Sequence, residues 1–254
     1  MQFSANLGFL WTDRTLPEAI RAAKAAGFEA VECHWPYDVP ASEVADALRQ
    51  TGLSMLGLNT RRGDIARGDF GLCALPGRDP EARASIDEAV SYALAIGAGY
   101  VHVLSGMASG PEAEAVFVNN LRHALDRVQG TDLKVVIEPL NRHDAPGYFL
   151  RTTDQAVALI DRIGSPRLKL MFDCYHVQIT EGDVSRRLAQ LLPLIGHIQI
   201  AAVPDRGAPD HGELDYRHVL NHLRDLGWDR PIGAEYRPAD NTDADLGWMA
   251  LLKG

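Results

Sequence analysis

The sequence predicts an α/β fold, a (β/α)8 barrel of the TIM type formed as one domain over residues 1–254. Three observations predict it. Short apolar runs alternate strictly with segments of helical spacing, which implies parallel strands joined by crossover helices. The runs are apolar at nearly every position, as in strands covered on both faces. Eight such units in 254 residues match the size of an eight-stranded barrel. A doubly wound open sheet is the runner-up, but no GxGxxG follows the first run and no GxxxxGK[ST] occurs.

The elements follow in order. FSANLGF is the first strand, and LPEAIRAAKAAGF the first helix, opened at Thr15 and closed at Gly27. AVECH precedes a helix from Ser42 to Gly52, and LSMLGLN precedes a long Gly- and Asp-rich connection from Arg61 to Pro80. A connection of that length in a compact domain is usually functional, and it falls at the C-terminal end of the third strand. EARASIDEAVSYALAIGAG leads to YVHVLSG, and PEAEAVFVNNLRHALDRVQG to KVVIEPL. A helix from Thr152 to Gly164 leads to LKLMFDCYH, and DVSRRLAQLLPLIG to HIQIAAV. YRHVLNHLRDLGW leads to PIGAEY, and DLGWMALLKG forms a short apolar tail.

Composition narrows the function. A net charge of −9, with no basic cluster beyond Arg61-Arg62 and Arg186-Arg187, argues against a nucleic-acid binder. No apolar run approaches the ~18 residues of a membrane helix. MQFSANLGFLWTDR lacks the basic start of a signal peptide, so the chain is expected in the cytoplasm with no membrane partner. Cys33, Cys73 and Cys174 have no metal-type spacing and are expected as free thiols.

Chemistry in such a barrel collects at the C-terminal strand ends. There the fifth to eighth strands carry Glu138, Asp173, Gln199 and Glu235. A buried carboxylate needs a partner, and adjacent carboxylates repel unless they share a cation. Three carboxylates and one amide suit a hard divalent ion, Mg²⁺ or Mn²⁺. His102 lies on the fourth strand, Glu32 and His34 on the second, and His197 shares the face of Gln199.

VVIEPLNRHDAPGYFL, MFDCYHVQITEGD, GHIQIAAVPDRGAPDHGELDY and IGAEYRP, in that order, resemble the hydroxypyruvate isomerases. These are xylose-isomerase-like TIM barrels, grouped with 2-oxo-tetronate isomerases, and the resemblance runs over nearly the whole chain. It implies a metal held by Glu138, Asp173, Gln199 and Glu235, with Glu138 and Glu235 as catalytic acid and base. It also implies a small 2-keto acid or sugar substrate, isomerised through an enediolate. Gln199 separates this group from the similar ketose 3-epimerases, which usually place a histidine there. The chain departs from the pattern at ECHWPY, which brings His34 near the site, and at Ala202, where a polar residue is usual.

Arg206 is the expected grip for a substrate carboxylate, because a guanidinium binds one bidentately. His176 and His102 are expected substrate contacts. Glu213 is expected to orient Arg206 or to cap the following helix, and Trp11, Trp35 and Tyr37 are candidates for the pocket wall or for packing at helix–strand junctions. A ketose 3-epimerase and a non-catalytic metabolite-binding barrel remain the alternatives. Homo-oligomer formation is left open.

Overall fold

The eight apolar runs become strands of one all-parallel sheet in a computed structural model that describes residues 1–252. The strands are β1 (Phe3–Asn6), β2 (Ala30–Glu32), β3 (Ser54–Met55), β4 (Gly57–Asn59), β5 (Tyr100–His102), β6 (Lys134–Ile137), β7 (Leu168–Asp173), β8 (Ile195–Ile200) and β9 (Ile232–Ala234). They lie in the order β3-β2-β1-β9-β8-β7-β6-β5-β4. The ends of that order, β3 and β4, are the two halves of the third predicted strand, broken only at Leu56. Leu56 donates its N–H to Val31 O at 2.7 Å and accepts from Tyr100 N at 2.9 Å, so hydrogen bonds to both sides carry the barrel across the break.

The helices are α1 (Leu16–Ala25), α2 (Ala41–Thr51), α3 (Asp79–Ile96), α4 (Gly110–Arg127), α5 (Thr153–Ile163), α6 (Cys174–Thr180), α7 (Val184–Leu191), α8 (Tyr216–Asp225) and α9 (Trp248–Leu252). Local chemistry explains their ends. Thr152 caps α5 by accepting from Gln155 N, and Gly164 ends it in the left-handed conformation that a residue without Cβ adopts at little cost. The cap of α2 is Pro40 rather than Ser42, because the proline's fixed backbone already starts the turn. One helix was not foreseen. The residues Cys174, Tyr175 and His176 read as the tail of a strand, yet they form the first turn of α6. Among the described residues no helix is long and apolar enough to cross a membrane. The three cysteines are buried and free.

Period-2 alternation stacks the barrel interior in layers. Leu56, Tyr100, Val136 and Met171 pack together as an apolar plug, apart from the main core that lies between sheet and helices. Two residues further along each strand, toward its C-terminal end, the chain places His102, Glu138 and Asp173. The apolar plug therefore supports a polar chamber.

Candidate active site

Register brings the strand-end residues together. Asp173 on β7 sits beside Gln199 on β8, which sits beside Gly233 on β9, one residue short of the strand end that Glu235 follows. Glu138 directly follows β6. All four side chains are buried. Glu138, His102, His176, Arg206 and Glu235 line a cavity of about 400 Å³, with Phe9, His34, Trp35 and Arg62 among its other walls.

Several polar atoms here find no hydrogen-bond partner: Glu138 Oε1, Asp173 Oδ2, Gln199 Oε1, His176 Nε2, His102 Nε2 and Arg206 Nε. Buried polar atoms are nearly always paired, so such a cluster marks a place meant for something else. Asp173 splits its two oxygens. Oδ1 accepts from Tyr175 N at 2.8 Å as the cap of α6, and Oδ2 is left over. Burial, then the nearby charges of Glu235 and Asp173, push the Glu138 carboxyl well above the carboxylate range. Burial also raises Asp173, against the pull of Arg206, to about 7.

Glu235 has the opposite setting. Arg206 Nη2 lies 2.6 Å from its Oε2. His34 Nε2 and Asn6 Nδ2 reach its Oε1 at 3.0 and 2.9 Å. Burial opposes its ionisation, but Arg206 and His34 hold it below the usual range.

Glu138, Asp173 and His176 are the one group of three such side chains, among the described residues, with atoms close enough to share a metal ion. The tautomer of His176 argues for a different role. Its Nδ1 accepts from Asn141 N at 3.1 Å, so in the neutral ring the proton is on Nε2. Burial lowers its basicity and keeps it neutral. Its Nε2 therefore carries a proton with no acceptor in reach, 3.6 Å from Asp173 Oδ2 and 4.0 Å from Glu138 Oε1. The unpaired oxygens of Glu138, Asp173 and Gln199 are the donor set a hard divalent ion takes. Glu235 would complete it by exchanging Arg206 for the ion. His102 Nδ1 lies 3.6 Å from Glu138 Oε2, and burial lowers its pKa to about 4, so it too is neutral.

Arg206 reaches the chamber, but among carboxylates. Besides Glu235 it meets Asp144 at 3.3 Å and Asp173 at 3.6 Å, with its guanidinium between the rings of Phe9 and Tyr175. Glu213 is not among its partners; Asp144, from the loop after β6, takes that place. Trp35 lines the cavity, whereas Trp11 bonds Asp243 and packs in the core, and Tyr37 bonds Asn59 O.

Beneath the chamber lies a residue whose role the sequence reading left unassigned. Glu32 accepts from Asn6 Nδ2 at 3.0 Å, Gln199 Nε2 at 2.9 Å and Tyr100 OH at 3.0 Å, and His197 Nε2 is 2.5 Å away. Because Gln199 gives its NH₂ to Glu32, its oxygen is the free atom. Nothing local in AVECH signals this, since the donors come from β1, β5 and β8.

Residues 20–252 match the family described as xylose isomerase-like TIM barrel. The chain is 41% identical to 2-oxo-tetronate isomerase of Cupriavidus necator, over 100% of this chain and 99% of that one. It is 35% identical to hydroxypyruvate isomerase of Escherichia coli, over 98% of each. Among solved structures, one titled AP endonuclease, family 2 from Brucella melitensis superposes with a TM-score of 0.94 at 37% identity, covering 98% of each chain.

Proposed function

This chain belongs to the xylose isomerase-like TIM-barrel family, beside the hydroxypyruvate and 2-oxo-tetronate isomerases, and we propose that it interconverts a small 2-keto acid and its aldehyde isomer. Hydroxypyruvate to tartronate semialdehyde is the simplest case, and a 2-oxo-tetronate is the four-carbon one. The observation that carries this reading is the set of buried, unpaired oxygens of Glu138, Asp173 and Gln199 under the cavity.

Glu138 and Glu235 stand at barrel strands five and eight, on different sides of that cavity. One removes the proton from the hydroxyl-bearing carbon beside the carbonyl. The other returns a proton to the former carbonyl carbon of the resulting enediolate. Their surroundings push their acidities apart, which suits a pair that must give and take. Neutral His176 donates from Nε2 to a substrate oxygen, neutral His102 stands beside Glu138, and Arg206 offers its unpaired Nε–H. Mg²⁺ or Mn²⁺, held by Glu138, Asp173, Gln199 and Glu235, would supply positive charge against the developing oxyanion. The reaction is placed in the cytoplasm, on a freely diffusing metabolite.

An abasic-site endonuclease is a second reading, raised by the name of the Brucella melitensis structure, and the site and the charge do not favour it. It calls for a histidine-rich metal cluster and a basic face, and the chain carries a net charge of −9. A ketose 3-epimerase is separated by substrate, and a binding-only barrel by the glutamates.

The test is turnover of hydroxypyruvate and 2-oxo-tetronate in D₂O, followed by proton NMR, on chelator-stripped protein with and without Mg²⁺ or Mn²⁺. Metal-restored product carrying solvent deuterium is expected. Glu138→Gln and Glu235→Gln should each lower turnover by ~10² to 10⁴-fold with the circular dichroism spectrum unchanged. Inert wild type on both acids, or full activity in either variant, would overturn the reading.

A further inference from the structure

A substrate that brings its own negative charge into a chamber of carboxylates needs a cation that is not already committed. Arg206 is committed: it lies within ion-pair reach of Glu235 and Asp173, and of Asp144, which stays its partner at 3.3 Å when the other two turn to an ion. Arg62 is not. It lines the same cavity from the loop after β4 and has no ion-pair partner among the described residues. Partial burial costs its charge something, and no nearby carboxylate offsets that cost. Two other arginines of the same loop do have partners: Arg61 grips Glu88 at 2.6 Å, and Arg78 grips Asp69 at 2.8 Å.

Arg62 is also held in place. Its guanidinium carbon lies 3.9 Å from the centre of the Trp35 ring, and Trp35 is fixed by its indole N–H on Thr60 O at 3.0 Å. Its own carbonyl accepts from Gly71 N at 2.8 Å. An arginine stacked on an aromatic face keeps its fork of donors pre-oriented, which lowers the cost of gripping a carboxylate. The third and seventh barrel strands face each other across an eight-stranded ring. Arg62 follows the third and Arg206 the seventh, so they approach the cavity from opposite sides.

We propose that Arg62 is the specificity-determining residue that docks the substrate's carboxylate, selecting a three- or four-carbon 2-oxo acid over a neutral ketose of the same length. The inference rests on the isomerase reading for its substrate class. The carboxylate lies toward Arg62, and the reacting carbons lie toward Glu138 and Glu235. The other cation of the cavity wall without an ion pair, Arg237, is exposed, and water already screens its charge.

Two measurements test this. The first compares hydroxypyruvate with dihydroxyacetone, which has a CH₂OH where hydroxypyruvate has its carboxylate. Arg62→Met should raise KM for hydroxypyruvate ~10- to 100-fold, the loss of a hydrogen-bonded charge pair, with kcat changed less and dihydroxyacetone turnover unaffected. Arg62→Lys should recover part of the loss, and Arg61→Met, on the same loop but paired outside the cavity, should show none. An unchanged KM in Arg62→Met, an equal loss on dihydroxyacetone, or a loss in Arg237→Met instead would overturn the proposal. The second measurement is calorimetric titration with D-glycerate, a carboxylate that cannot isomerise, against wild type and Arg62→Met. It stands even if neither keto acid is turned over. Weaker binding to the variant supports Arg62, and equal or absent binding to both proteins overturns it.

Discussion

Glu32 and Glu138 are buried almost equally, 2% and 5% exposed, in the interior of the same barrel. Their surroundings differ completely. Glu32 collects hydrogen bonds from Asn6, Gln199 and Tyr100, with His197 alongside. Although burial opposes it, the charge and hydrogen bond of His197 and the hydrogen bond of Gln199 hold its carboxyl below the ordinary range. Glu138 keeps an oxygen with no partner and is pushed well above that range. Burial alone does not mark a reactive carboxylate. Unmet hydrogen-bonding capacity does, because a folded chain tolerates that cost only where a ligand relieves it.

The largest effect expected from this contrast is on stability. Glu32→Ala strips the acceptor from three buried donors, and breaking such a buried charged network costs ~3 to 5 kcal/mol. At ~2 to 4 °C per kcal/mol for a chain of this size, the melting temperature should fall by roughly 6 to 20 °C. Glu138→Gln, an equally buried site, removes a carboxyl whose ionisation nothing compensates and should leave the metal-free melting temperature unchanged or higher. Calorimetric melts of the two variants check this, and similar losses in both would erase the distinction.

A smaller effect concerns protons. Asp173 rises from an ordinary value of 3.8 to about 7 in the folded chain, chiefly through burial. Between those values the folded protein holds a proton that the unfolded chain has released. The stability of the metal-free protein therefore falls as pH rises through that window. Asp173→Asn should flatten this slope. Mn²⁺ at about a hundred times its dissociation constant should add ~2.7 kcal/mol at pH 7.5 and less at pH 5, where protons compete for the same oxygens. Melting curves from pH 4.5 to 8, with and without Mn²⁺, read both. A flat wild-type profile would mean that Asp173 ionises as an ordinary carboxylate.

How much of this was legible in the sequence follows from what each feature depends on. The barrel was legible because alternation and capping are local, and Glu138, Asp173, Gln199 and Glu235 because strand ends can be located from strands. The helix α6 was hidden, since an apolar run that turns immediately after its last β residue reads as more strand; only the cap made by Asp173 reveals the turn. The partners of Arg206 were misjudged toward nearby Glu213, whereas Asp144 arrives from another loop. Arg61 and Arg62 are indistinguishable as letters, and what separates them is which one finds a carboxylate in three dimensions.

The smallest predicted effect probes the seam between the two carboxylate environments. Gly233 sits on β9 where a Cβ would come 2.7 Å from Glu32 Oε1, 2.8 Å from Gln199 Cγ and 2.8 Å from His197 Nε2. All three contacts are too short, so Gly233→Ala forces Gln199 or the Glu32–His197 pair to move, an overpacking cost of ~1 to 3 kcal/mol. If the satisfied layer only supports the fold, the melting temperature drops and Mn²⁺ affinity stays. If Glu32 aims the Gln199 oxygen into the chamber, both fall, with affinity weakened ~10-fold or more, as when a group orienting a metal ligand is disturbed. The second outcome is expected, because the Gln199 amide has one end on Glu32 and the other unpaired beside Asp173, so it cannot shift for one without leaving the other.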